Sequence, residues 1–285
     1  MNELDLLGRL LPHLSRRGGD LLIGAGDDDA AAWREPDGFY TVATIDSAVE
    51  GVHFDLARQA PFDVGWRALA FALGDLAAKG ARPTYGLIAL SLPRRWSADV
   101  VEDIYRGLDE LAQEVGCRLV GGDTTLAPEH GVLTLSLLGF ASARPLPRSA
   151  VRPGWAIGVT GPIGGAGLDW SRPRPRLRLG AELCAQGLCC GDISDGLVRE
   201  LDKFAMMAGI GARLELAQVP CVRGVGALDA IASGEEVELV CAALRPLPDD
   251  VFEVGEFTAG PPVVVVVDGH GNPVEARRRG WDHFG

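Results

Sequence analysis

Apolar positions along the chain follow two rhythms, one of period about 3.6 and one of short alternating or continuous runs. Residues 4–14 carry a helical stripe that stops near the Gly18-Gly19 pair. Residues 40–45, a β-branched run, predict a buried strand ending at Asp46. Residues 62–79 predict a helix with Asp63 as cap and Gly80 as stop. Residues 85–92 predict a strand bounded by Pro83 and Pro93. The clearest helix is 97–115, where Ser97 caps and Val100, Val101, Ile104, Leu108 and Leu111 form the apolar stripe. Residues 118–120 predict a short strand running into Gly121-Gly122-Asp123, and 132–141 a longer one. Pro145, Pro147 and Pro153 flank a joint at 148–154, and a new strand begins at Trp155. A helix at 197–208 and strands at 212–216, 238–244 and 262–267 follow. Strands and helices alternate on both sides of the joint. The pattern therefore predicts an α/β (α+β) class in two domains, 1–150 and 151–285.

Composition narrows the function without naming it. The 285 residues suit one large domain or two moderate ones, and a hydrophobic fraction of 47% suffices for a real core. A formal net charge of -12 argues against a nucleic-acid backbone as partner. The N-terminus is acidic where a signal peptide is basic, and the apolar runs at 132–141 and 263–267 are too short to span a bilayer. A soluble cytoplasmic protein is expected. None of the six cysteines forms a C-x-x-C pair, so they are expected to be buried small hydrophobes in a reducing compartment.

The chemistry-bearing pattern is aspartate beside glycine at the ends of apolar runs. It occurs at Gly26-Asp27-Asp28-Asp29, Thr44-Ile45-Asp46, Gly74-Asp75, Gly122-Asp123-Thr124 and Asp192-Ile193-Ser194-Asp195-Gly196. Each alone is usually a turn. Together, at strand ends that share a rim, they form a set of hard oxygen ligands whose mutual repulsion calls for cations. Several Mg²⁺ ions that in turn bind a polyphosphate would meet that need. No P-loop and no H-R-D or D-F-G element occurs. The glycine run 161–167 is either a phosphate-contacting loop or a plain turn. The basic, proline-punctuated segment 169–178 is either a solvated loop or an edge facing phosphate or a partner.

Six motifs then resemble the thiamine-monophosphate kinase family. They are Gly24-Ala-Gly-Asp-Asp28, Thr44-Ile-Asp46 with Val49-Glu-Gly-Val-His-Phe54, Gly74-Asp-Leu-Ala-Ala-Lys-Gly-Ala-Arg-Pro83, Gly121-Gly-Asp-Thr124, Asp192-Ile-Ser-Asp-Gly-Leu197 and Trp281-Asp-His-Phe284. The resemblance covers about Gly24 to Phe284. It implies a two-domain aminoimidazole ribonucleotide synthetase-like fold whose N-terminal domain makes a homodimer through a shared strand barrel. It also implies ATP-dependent phosphorylation of thiamine monophosphate to thiamine diphosphate by direct in-line transfer, assisted by several Mg²⁺ ions, with no residue assigned as general base. Carried over by motif, Asp27, Asp28, Thr44, Asp46, Asp75, Asp123, Asp192 and Asp195 resemble metal ligands. Tyr105, Gly122, Asp123, Arg148 and Ser194 match ATP positions, and His53, Glu235 and Trp281 match substrate positions. No nucleic-acid or membrane partner is implied.

The chain departs from the family in its second half. The G-G-E-D-Y-E-L motif reads Ser233-Gly-Glu-Glu-Val-Glu-Leu239, so Glu236 and Val237 replace an acid and an aromatic. Ile45 stands where a hydroxyl residue is usual, and the stretches at 167–172 and after Leu244 are short. Two alternatives stay open on these grounds: a related ATP-dependent kinase or synthetase with another small-molecule acceptor, and a non-catalytic nucleotide-binding dimer.

Overall fold

The structure, a computed structural model, describes residues 3–165, 172–276 and 278–282. Gly167, His283 and Phe284 of the motifs above lie outside the described residues. The first half contains α1 (Glu3–Leu10), β1 (Leu21–Ile23), β2 (Ala31–Arg34), β3 (Tyr40–Val49), α2 (Pro61–Ala78), β4 (Arg82–Pro93), α3 (Ala98–Val115), β5 (Arg118–Ala127) and β6 (Val132–Ala141). Its six strands form one sheet in the order β1-β2-β3-β6-β4-β5, with only β4 and β5 parallel.

Helices α2 and α3 cover one face of this sheet. Ile88, Leu90, Leu133, Leu135 and Leu137 from the strands bury against Leu69, Leu73, Leu76, Ile104 and Leu108 from the helices. Strand side chains alternate between faces. The opposite face therefore shows Ile45, Tyr85, Leu87, Leu138 and Phe140, all exposed.

The second half contains β7 (Ala156–Val159), α4 (Leu177–Ala185), β8 (Cys189–Asp192), α5 (Leu197–Ala208), β9 (Gly211–Glu215), α6 (Ala227–Ala230), β10 (Leu239–Ala243), β11 (Phe252–Thr258) and β12 (Val264–Val267). They build a second six-stranded sheet in the order β12-β9-β11-β7-β10-β8. The two halves meet where α2 packs on α4 and β8. All six cysteines are free thiols, and all but Cys221 are buried. No helix of the described residues is long and apolar enough to cross a membrane.

Several elements differ from their sequence expectations. Strand β3 does not end at Asp46, because its ladder with β6 continues through Asp46↔Leu135 to Val49↔Val132. Strand β5 likewise runs on through Gly121, Gly122 and Asp123 to Ala127, held by the parallel ladder with β4. Helix α2 has no side-chain cap. Pro61 opens it, and Asp63 sits in its first turn instead, where an acid favours the positive end of the helix dipole.

The basic segment is no free solvated loop over its described part. Arg172 lies 4.2 Å from the Phe62 ring centroid and donates to Asp63 at 2.9 Å. Arg174 forks onto Glu114 at 3.2 and 3.1 Å. Arg176 pairs with Glu238, and the Trp66 indole N–H donates to the Pro173 carbonyl at 2.9 Å. Residues 172–176 thus strap the second half onto α2 and α3, and α4 begins directly afterwards.

Helices α2 and α3 approach closely because each presents a glycine at the crossing. A Cβ on Gly107 would sit 1.9 Å from the Phe62 carbonyl oxygen, and one on Gly65 would sit 2.0 Å from that of Ile104. Gly107→Ala is expected to lower stability by about 2 kcal/mol through overpacking. Urea titration checks this, and an unchanged midpoint would contradict so tight a crossing.

Candidate active site

The candidate site is assembled where the two halves meet, around α2 and β8. The turn after β1 supplies three consecutive aspartates. Asp27 closes the turn by accepting the Gly24 N–H at 3.0 Å. Asp28 turns inward and is almost fully buried, while Asp29 turns to the cleft. Strand β3 contributes Thr44 and Asp46, α2 contributes Asp75 near its C-terminal end, and β8 ends on Asp192.

Carboxylate oxygens of Asp29, Asp75 and Asp192 lie within 4.8 Å of one another. The Thr44 hydroxyl donates to Asp75 at 2.5 Å. Oδ1 of Asp192 is buried with no hydrogen-bond partner among the described residues, which is costly for an ionised oxygen. The protonation pattern follows from this crowding. Burial, then the charges of Asp192 and Asp29, hold the Asp75 carboxyl well above its ordinary range. Burial, then Asp29 and Glu200, push Asp192 up to about 8. Burial also raises Asp46, as do Asp195 and Asp29, against the lowering effects of the Ser47 N–H and His53. Burial works to raise Asp29 as well, but Arg148, Lys203 and Lys79 overcome it and hold that carboxyl below its usual range.

Three cations brace the site from behind. Arg148 is completely buried and contacts four carboxylates. Nη1 donates to Asp28 at 2.9 Å, Nε donates to Glu200 at 2.5 Å, Nη2 pairs with Asp29, and Asp192 lies 4.0 Å away. Lys79 Nζ donates to Asp28 at 2.6 Å and to the Cys190 carbonyl at 2.7 Å. Lys203 pairs with Asp195 at 3.0 Å and with Glu200 at 3.2 Å. Asp28 is thus committed to Lys79 and Arg148, and Asp29 takes the place in the cluster that the motif match suggested for Asp28.

Other residues singled out from the sequence fall into two groups. His53, Asp195 and Glu235 lie close enough to Asp46 to interact with it electrostatically, and Ser194 and Trp281 are tied to Glu235 and Asp195 through the backbone. His53 Nδ1 accepts the Val49 N–H at 3.1 Å. The Glu235 N–H donates to the Ser194 carbonyl at 2.6 Å, and the Trp281 N–H to the Asp195 carbonyl at 2.9 Å. The Trp281 side chain is about half exposed.

Tyr105, Gly122 and Asp123 lie elsewhere. They line an open cavity of ≈ 700 Å³ between α3 and β5, together with Glu102, Arg106 and Asp109. Strand β5 is the sheet edge, and Asp123 is separated from β3 by β4 and β6, about 14 Å by strand spacing alone. One chain does not bring Asp123 to the cluster.

The glycine run is largely accounted for by packing. The Gly164 N–H donates to Glu236 Oε1 at 2.8 Å, and Ser233 donates to the same oxygen at 2.8 Å. Glu236 therefore braces a loop rather than facing the cleft.

Comparison with known proteins places this geometry. Residues 27–142 match the family model described as AIR synthase related protein, N-terminal domain. Thiamine-monophosphate kinase of Escherichia coli K12 is 31% identical, with 99% of this chain and 98% of that protein covered. The enzyme of the same name from Methanopyrus kandleri is 31% identical, with 86% of each covered. The chain belongs to the thiamine-monophosphate kinase family. A solved structure described as AaThiL complexed with AMPPCP and TMP has a TM-score of 0.83 and 26% identity, covering 99% of this chain and 97% of that one. The alignment to the E. coli kinase runs over 327 positions, more than the 285 residues present, which agrees with a chain shortened in places.

Sequence reasoning passed over Asp29, Lys79, Glu200 and Lys203. The third aspartate in a row was the available signal for Asp29. Lys79 sits inside the Gly74–Pro83 motif, but nothing local distinguishes Glu200 and Lys203, because their role comes only from burial beside carboxylates.

A pH dependence follows. The unfolded Asp192 titrates near 3.8 and the folded one near 8. The stabilising preference of the fold for the neutral acid is full below the first value and lost as pH rises through the second. Asp75 and Asp46 shift in the same direction. Metal-free protein is expected to melt at progressively lower temperature between about pH 4 and about pH 8, and added Mg²⁺ is expected to remove most of that slope. A flat metal-free profile would contradict this electrostatic picture.

Proposed function

We propose that this protein transfers a phosphoryl group from ATP to thiamine monophosphate, giving ADP and thiamine diphosphate. The observation that carries the reading is the convergence of Asp29, Asp75 and Asp192, with Asp46 close enough to raise Asp75 and one buried Asp192 oxygen without a hydrogen bond, in a member of this kinase family. The solved relative with AMPPCP and TMP supports the pairing of a nucleotide with this acceptor.

The donor set is all hard oxygen, which fits Mg²⁺. Asp29, Asp75 and Asp192 would hold it, with Asp46 and Asp195 beside them and Thr44 orienting Asp75. When bound, such ions offset the charge of two phosphate compounds and of the transferring group. The acceptor phosphate is already an anionic nucleophile at neutral pH, so in-line attack needs no strong general base. What the chain's own residues do is orient. Arg148, Lys79 and Lys203 fix the carboxylates from behind, while His53, Glu235 and Trp281 face the acceptor side. Trp281 offers an exposed ring to a cationic heterocycle such as a thiazolium.

Homodimerisation belongs to the same reading. Ile45, Tyr85, Leu87, Leu138 and Phe140 form an apolar open face that a second copy would cover. A partner would then supply Tyr105, Gly122 and Asp123 to the nucleotide side of the neighbouring cluster. The division into domains near residue 150 and the cytoplasmic location expected from the sequence fit an ATP-consuming enzyme of this kind.

Purified protein with ATP, Mg²⁺ and thiamine monophosphate tests the reading by product formation. ATP binding without any thiamine diphosphate would favour another acceptor, and binding without turnover of any acceptor would favour a non-catalytic dimer. Asp123→Asn is expected to reduce kcat at least about 100-fold, the scale for losing one preorganised charge contact, with melting temperature nearly unchanged. Trp281→Ala is expected to raise the KM for thiamine monophosphate about tenfold while leaving that for ATP unaltered. An equal loss for both substrates would mean a structural tryptophan.

A further inference from the structure

Among the described residues, Glu235 is the one non-glycine with a positive backbone φ, at 57°. That conformation suits glycine and strains any residue with a Cβ. Strain of this kind persists only where the surroundings impose it, and it gathers at binding and catalytic sites. Two contacts impose it here. The Glu235 N–H is tied to the Ser194 carbonyl at 2.6 Å, and Glu235 Oε2 accepts from Arg67 Nη2 at 3.0 Å.

Arg67 comes from the other half of the molecule. It lies on α2, eight residues before Asp75, so about 12 Å separates the two along the helix axis. Its side chain is buried to 6% exposure, and its guanidinium carbon sits 5.0 Å from the Phe71 ring centroid. A planar guanidinium stacked on a ring and buried along its stem has few orientations left. Glu235, by contrast, keeps 34% of its side chain accessible at the cleft. One oxygen is held by Arg67, and the carboxylate remains open to a further donor from a ligand. An ionised carboxylate only accepts hydrogen bonds, so the matching ligand group is a donor, which on an amino-heterocycle is an N–H.

One rigid helix therefore carries both ends of a ruler. Asp75 marks the phosphate end, and Arg67, through Glu235, marks the far end. We propose that Arg67 is a positioning residue that orients Glu235 to accept a hydrogen bond from the amino-heterocycle of the acceptor. The inference rests on the kinase reading above and adds how the non-phosphate end of the acceptor is recognised. It also explains why an arginine is buried where the helix otherwise presents apolar side chains. Losing Arg67 leaves the carboxylate without its anchor and weakens acceptor recognition, while the nucleotide end, more than two helical turns away, keeps its contacts.

The test compares wild type with Arg67→Gln, Arg67→Lys, Glu235→Gln and the Arg67→Gln/Glu235→Gln pair. The readouts are kcat, the KM for each substrate, and calorimetric binding of thiamine monophosphate in the presence of AMPPCP. Arg67→Gln is expected to raise the acceptor KM and Kd about tenfold, with the ATP KM within about twofold of wild type. Arg67→Lys restores most of the loss, and the double variant is no worse than Glu235→Gln alone, since both changes remove one interaction. Additive losses, or equal losses for ATP and acceptor, overturn the proposal. Should Arg67→Gln fail to fold, an unchanged acceptor KM in Glu235→Gln overturns it as well. Wild-type protein that binds ATP but makes no thiamine diphosphate overturns the functional reading itself, and the acceptor role of Glu235 falls with it.

Discussion

Repulsion among buried carboxylates is the constraint on which the rest of this molecule depends. Asp46, Asp75 and Asp192 are each raised by burial and by the charge of acidic neighbours. A protein can relieve such a cluster by protonation, by internal cations or by bound metal. Here the internal cations are aimed elsewhere. Lys79 and Arg148 hold Asp28, while Arg148 and Lys203 share Asp29, Asp195 and Glu200. The inner oxygens are left with too little compensation of their own. Such a site takes up a proton or a cation more readily than separated carboxylates would.

The same constraint explains how the two halves are joined. Asp29, Asp46 and Asp75 come from the first half, and Asp192 and Asp195 from the second, so a small shift of one sheet against the other would scatter the set. Buried ion pairs are costly to form but demanding in geometry. Arg148 and Lys79 use that demand, since each binds groups from both sides of the joint. The strap at 172–176 adds a second fixation on the far side of α2 through stacking on Phe62 and forked pairing with Glu114. Arg67 and Glu235 add a third, at the mouth of the cleft.

The open face of the first sheet stands in contrast to this closed joint. Alternation puts apolar side chains on both faces of β4 and β6, a pattern suited to strands covered on both sides. Helices cover only one of them. Asp123 sits directly across the ladder from Ala89, on the edge strand of that sheet. The exposed apolar face and Asp123 at its edge are the two features on which the proposal of a second copy rests.

Legibility of the sequence followed the range of the interactions involved. Local signals were readable. Ser97 caps α3, Val132 and Ala141 bound β6, and 197–208 is a helix, because capping and periodicity are properties of neighbouring residues. The recurrence of aspartate beside glycine, and the motifs around it, pointed to the family and to the kind of chemistry. Strand ends were misjudged at Asp46 and Gly121, since a ladder with a distant partner decides where a strand stops. Which of three successive aspartates faces the cluster was equally beyond a linear reading. It depends on Lys79 and Arg148, which lie 51 and 120 positions from Asp28 and capture it. The sequence by itself determined the inventory of charges and the elements that carry them. Tertiary structure alone decided which charges meet, because burial sets the strength of each attraction and repulsion, and burial is a property of the packed whole.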